Sequence, residues 1–248
     1  MIRHFHNAAE NTFAVTEIRA DELRSRGFSN VHCWPLGTDL ATFTPNVASH
    51  PAMRGLTWSM QLSVGRVAVE KNFTAFLDTR VPGSKVVVGD GPAFEALRKA
   101  YLKLTFLGAL HGAELAAAYA AADVFVFPIR TGTFGLVNIA ALTSGLPVAA
   151  YPVPGPLDIV GPSGYGTNGG IRPIGALDED LGRAIERALA ADRSACREEA
   201  AHYDWSRCTQ AFVAGLARRP AAAHCAELSP SLEARPNGRC RWPDATED

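Results

Sequence analysis

Arg66 and Lys71 stand five residues apart, just after Gly65 and the apolar run Gln61 to Val64. A guanidinium can grip phosphate oxygens with two parallel hydrogen bonds, and an ammonium adds a mobile point charge. A second constellation lies in the stretch Asp123 to Tyr151, D-V-F-V-F-P-I-R-T-G-T-F-G-L-V-N-I-A-A-L-T-S-G-L-P-V-A-A-Y. There a short polar loop leads from an apolar run into a helix, with Thr131 or Thr133 available as N-cap and Phe134, Gly135 and Leu136 as the first helical residues. Unpaired backbone N–H groups at such a helix start, backed by the positive end of the dipole, suit a phosphate. The bland reading of either constellation is a solvated turn. What favours chemistry is that both would sit over the same edge of one sheet.

That shared edge depends on the elements. Val124 to Phe127 is β-branched and aromatic, too short for a helix, and stops at Pro128, so it reads as a buried strand of a parallel sheet. The helix after it ends near Ser144-Gly145, and Pro147 to Tyr151 begins the next strand. The same alternation starts at Thr12. Thr12 to Thr16 is a strand, Glu17 to Arg26 a helix closed by Gly27, and Val31 to Trp34 a strand. Strands at Gln61 to Val64, Ser84 to Val88 and Leu104 to Leu107 alternate with helices through Asp78, from Ala93 to Tyr101 and from Gly112 to Ala122. This series predicts an α/β class fold, a Rossmann-like, doubly wound parallel sheet with right-handed crossovers. Helices follow over 178–191, 193–201 and 205–216. Residues 1–11 lack periodicity and read as an arm or linker remnant. From Arg218 onward the periodicity is gone and prolines recur, so 218–248 is expected to be disordered.

Composition narrows the functional classes. With 248 residues, 47% hydrophobic and a formal net charge of −1, the chain can bury one sizeable core and carries no electrostatic signature of a nucleic-acid partner. No apolar run reaches membrane-spanning length and the N-terminus has no apolar signal region, so a cytoplasmic protein is expected, peripheral to membranes if its substrate is a lipid. Five cysteines without a C-x-x-C pair read as reduced thiols, and no metal set is expected. Gly164 to Gly169 matches G-x-G-x-x-G but neither follows a strand nor opens a helix, so it reads as a flexible loop. His111 reads as a surface histidine.

The joint order of G-R-V-A-V-E-K-N (65–72), V-G-D-G-P (88–92), F-L-G-A-L-H-G (106–112) and T-F-G-L-V (133–137), followed by A-L-x-S-G-L-P-V, resembles the donor-binding lobe of family 4 retaining glycosyltransferases, which have two Rossmann-like lobes in the arrangement called GT-B. The resemblance covers residues 12–217 and is nearest to nucleotide-sugar-dependent α-mannosyltransferases. It implies hexosyl transfer from a GDP- or UDP-linked donor, with no cofactor and no metal, to a sugar or lipid acceptor. It assigns the donor diphosphate to Arg66, Lys71, Thr133, Phe134, Gly135 and Leu136, and the nucleobase and ribose region to Gly89, Gly108, Ala109 and Leu110. The Gly89-Asp90-Gly91-Pro92 turn is expected to act through geometry rather than through an Asp90 contact.

Two departures qualify this. The family carries one acidic residue before T-F-G and another two turns into the helix, where this chain has Gly132 and Ala140. Each missing carboxylate-to-hydroxyl bond would forfeit roughly 1.5–3 kcal/mol, weakening the donor's hold while leaving the diphosphate grip in place. The family's first, acceptor-binding lobe is also without a counterpart here. No intact catalytic carboxylate is therefore expected, and turnover would need a separate first-lobe polypeptide. The alternative is a non-catalytic nucleotide-sugar-binding or interaction module of the same ancestry.

Overall fold

The computed structural model describes residues 2–34, 36–131 and 135–216. The elements in chain order are α1 (Ile2–Asn7), β1 (Thr12–Ala14), α2 (Glu17–Ser25), β2 (Val31–Cys33), β3 (Met60–Val64), α3 (Phe73–Leu77), β4 (Ser84–Val88), α4 (Phe94–Ala100), β5 (Thr105–Phe106), α5 (Gly112–Ala121), β6 (Val124–Phe127), α6 (Leu136–Thr143), β7 (Val148–Ala150), α7 (Pro156–Ile159), β8 (Gly175–Leu177), α8 (Leu181–Ala188), α9 (Arg193–Ala200) and α10 (Trp205–Gly215). Six strands form an all-parallel sheet in the order β5-β4-β3-β6-β7-β8.

Alternation along each strand explains the two layers of helices. Val86, Val88, Phe125, Phe127, Val148 and Ala150 join the core beneath α5, α6 and α9. Their neighbours Val87, Val124, Val126 and Ala149 point the other way, into the core under α3 and α8. A strand buried on both faces needs an unbroken apolar run, and V-F-V-F and V-A-A supply it. Tyr119, Ile139 and Leu142 fill the first core and Phe76 and Ile185 the second, all fully buried. The doubly wound architecture is as the sequence predicts.

Three expectations change. The βαβ unit from Thr12 does not join the main sheet; β1 and β2 pair in parallel as a two-stranded sheet of their own, with a small core of Ala14, Ala20 and Val31. Aromatic packing holds this unit to α10. Phe212 lies 4.7 Å from the Trp34 ring and 5.4 Å from Phe13, and Trp34 Nε1 donates to the Cys208 carbonyl at 2.9 Å. Second, residues 2–7 are helical rather than a free arm, because Asn7 Nδ2 donates to Gly27 O and Asn30 Nδ2 to His6 O, each at 3.0 Å. Third, the G-x-G-x-x-G loop is tethered. The buried carboxylate of Glu199 accepts from the Thr167 N–H and the Asn168 side chain, at 3.2 and 2.6 Å.

The described residues through Leu216 form one compact unit. The segment 217–248, with its expected disorder and with Cys225 and Cys240, lies outside the described residues. Cys33, Cys196 and Cys208 are free thiols, and burial pushes that of Cys196 up to about 12. Among the described residues no helix is long and apolar enough to cross a membrane.

Candidate functional site

The strand order defines where a ligand would sit. From β3 the chain moves outward through β4 to β5, then returns to place β6 on the other side of β3. The connections thus diverge between β3 and β6, leaving a crevice beyond their carboxyl ends, the usual ligand position in open α/β sheets. A cleft of about 230 Å3 occupies that crevice. Gly65, Arg66 and Lys71 line it after β3, Pro128 and Ile129 after β6, and Gly135 and Leu136 at the start of α6. Apolar side chains, Val64, Phe73 and Phe127 among them, contribute the rest of its wall. Residues more than sixty apart in sequence, Arg66 and Lys71 on one side and Gly135 and Leu136 on the other, therefore meet in one cleft.

The details differ from expectation. The helix does not begin with a threonine cap: α6 starts at Leu136, and Gly135, with φ 75°, holds the N-cap position without any side-chain hydrogen bond. A glycine offers no acceptor, so among the described residues no side chain caps the first-turn N–H groups of the helix. Of the remaining predicted residues here, Gly132, Thr133 and Phe134 lie outside the described residues. Ala140 is buried in the core of α6, where a methyl packs without need of a partner.

On the β3 side, Lys71 does not open a helix. It closes a 3-10 turn, Val69–Lys71, and Asn72 in the left-handed conformation (φ 54°) separates that turn from α3. Asn72 Nδ2 donates to the Pro128 carbonyl at 2.9 Å, fastening one wall of the cleft to the other. Arg66 is not free either. Its guanidinium pairs with Glu70 four residues on, and this hydrogen bond, with smaller help from nearby Lys71, holds the Glu70 carboxyl below the usual carboxylate range.

The turn after β4 supports this loop from beneath. A Cβ at Gly89 would overlap the Gly65 carbonyl oxygen, and one at Gly91 would come within 2.5 Å of Val67 O. Val67 N donates to Asp90 O at 2.8 Å and Ala93 N to Val67 O at 3.0 Å. The geometric role read for Gly-Asp-Gly is therefore realised, while among the described residues the Asp90 side chain accepts only from its neighbour, the Gly91 N–H, at 2.7 Å. Gly89 N donates to Gly108 O at 2.7 Å, so the ends of β4 and β5 are stepped beside the cleft. Gly89, Gly108, Ala109 and Leu110 do not line it, and Leu110 packs against the core.

Three residues escaped the sequence reading. Asn72 was seen only as the neighbour of Lys71. Arg130 follows β6, stacks 3.7 Å over the ring of Tyr151 at the end of β7, and pairs with Glu179 at 2.9 Å. Asn138, on the first turn of α6, is 0% exposed, and among the described residues neither atom of its amide has a hydrogen-bond partner. A polar residue amid an apolar helix was the available signal for the last.

A doubly wound parallel sheet with a cationic cleft at its switch point defines the Rossmann-like class of α/β protein. The family follows from comparison: residues 61–191, more than half of the chain, match the model of the glycosyl transferases group 1, and the chain belongs to that family. It is 35% identical over 225 residues to a GDP-mannose-dependent alpha-mannosyltransferase of Mycobacterium tuberculosis, covering 82% of this chain and 58% of that one. It is 31% identical over 229 residues to a sulfoquinovosyl transferase of Arabidopsis thaliana, covering 84% and 44%. Among solved structures, sucrose-phosphate synthase from Thermosynechococcus elongatus superposes with a TM-score of 0.68 at 27% identity, over 86% of this chain and 59% of that one. The sheet is thus the Rossmann-like lobe of a GT-B glycosyltransferase, and the chain spans less than two thirds of each of these relatives.

Proposed function

We propose that the cleft between β3 and β6 binds the diphosphate of a nucleotide-linked hexose, and that the chain is the donor-binding part of a retaining hexosyltransferase. The observation that carries this reading is the meeting of Arg66, Lys71 and the uncapped start of α6 in one cleft at the switch point. Fixed cations and helix N–H groups aimed at a leaving diphosphate stabilise the charge that develops as the glycosidic bond breaks, which is where such groups are worth most. Thr133 and Phe134 would complete this cradle from the loop. Gly108, Ala109 and Leu110, beside Gly89, are the proposed base and ribose region. The likeness to a GDP-mannose-dependent mannosyltransferase makes a GDP-linked mannose the first donor to test.

Gly132 and Ala140 bring no carboxylate to the sugar, so the hold on the donor rests on its diphosphate. An acceptor, a sugar or a lipid, must also be held in line with the anomeric carbon, a demand worth several kcal/mol of barrier. We assign that task to a first lobe outside this chain, with the assembled enzyme acting in the cytoplasm, at the membrane surface if the acceptor is a lipid. Calorimetric titration with GDP and UDP tests the core of the proposal. Binding in the high-micromolar to millimolar range is expected, and Arg66→Ala should weaken it by about tenfold, the equivalent of ~1.4 kcal/mol. Absence of binding at millimolar nucleotide would remove the donor-site reading.

A further inference from the structure

The carboxylate of Glu70 lies against the very groups assigned to the diphosphate. It takes a hydrogen bond from Arg66 Nη2 and feels the charge of Lys71, the next residue in the turn. The backbone fixes this placement: the Val69–Lys71 turn is short, and the Asn72 side chain anchors its far end to Pro128. Both partners remain open to solvent, with 65% of the Arg66 side chain and 51% of the Glu70 side chain exposed. An anion reaching the cleft can therefore approach the guanidinium from outside, and the only acid paired with it among the described residues is Glu70.

Resting on the diphosphate reading above, we propose that Glu70 is an internal competitor of the donor: its carboxylate holds Arg66 until a diphosphate takes its place, and so sets the affinity of the cleft for nucleotide. Chemically this is an exchange of one anion for another on the same guanidinium, with no bond made or broken beyond hydrogen bonds. Exposed ion pairs are weak, so the exchange costs little and remains reversible. A diphosphate, carrying more charge and accepting two parallel hydrogen bonds, wins against a monodentate carboxylate.

Calorimetric titration with GDP of four proteins decides the matter: the unsubstituted chain, Glu70→Gln, Arg66→Ala, and the double variant. Glu70→Gln should tighten GDP about two- to fivefold, and the gain should vanish when Arg66 is absent. Unchanged or weaker binding in Glu70→Gln, while Arg66→Ala still loses affinity, would mean that Glu70 only orients Arg66, and the competition is overturned. Equal tightening with and without Arg66 would mark a general charge effect and overturn it too. If Arg66→Ala changes nothing, or no variant binds GDP at millimolar concentration, the diphosphate reading itself fails.

Discussion

Asn72 shows how much one residue decides at this site. Its left-handed backbone lets the chain turn from the Lys71 turn into α3, and its amide joins that turn to the Pro128 carbonyl across the cleft. Glycine would keep the conformation and lose the bond; alanine would lose both. Asn72→Gly should therefore lower stability by about 0.5–1.5 kcal/mol, and Asn72→Ala by a further ~1 kcal/mol for the strained φ. Urea titration of the three proteins checks the order, and nucleotide affinity should fall in the same order. The residue types at 66 and 71 disclose the cations, because strand, glycine and spacing put them at one sheet edge. Neither the Arg66–Glu70 pair nor the Asn72 bridge is legible that way, since an i,i+4 pair is suggested by spacing only within a helix, and residues 65–72 are mostly not helical. Arg130 likewise acquires its partners from chain far along the sequence, Tyr151 just beyond β7 and Glu179 just beyond β8.

At the scale of elements, the loop after β3 rests on the turn after β4, and the fit leaves no room for a side chain. A methyl at Gly89 would overlap the Gly65 carbonyl while sitting at φ 136°, so either the loop carrying Arg66 or the end of β4 must move. Gly89→Ala should cost ~3 kcal/mol or more and abolish nucleotide binding, whereas Asp90→Ala should leave both nearly intact, as thermal melts and GDP titration would record. The alternation of apolar runs with amphipathic ones made β3, β4, β6 and β7 and the three C-terminal helices readable. β8 was missed, because Gly175, Ala176 and Leu177 include no β-branched or aromatic residue and owe their strand to the neighbouring β7. The α6 start was misplaced for a similar reason: two threonines are good caps in isolation, but the chain enters the helix through Gly135.

At the scale of the whole molecule, two sheets differ greatly in how well they are buried. The six-stranded sheet has helices on both faces and dense apolar layers, while the β1–α2–β2 unit has a small buried core of Ala14, Ala20 and Val31 and leans on α10 through its aromatic contacts with Phe13 and Trp34. Nothing in the apolar pattern separates the first βαβ unit from those that follow, which is why its independence had to come from coordinates. Beside the large core lies Asn138, whose amide is buried with no hydrogen-bond partner among the described residues. A desolvated amide of this kind subtracts about 1–3 kcal/mol from the folded state. Asn138→Leu, similar in size and free of polar atoms, should accordingly raise the Tm by roughly 2–4 °C for each kcal/mol recovered, measurable by calorimetry. The helix that starts at the cleft is thus less tightly secured than its depth in the fold implies, and it is the place from which a hardier version of this protein would begin.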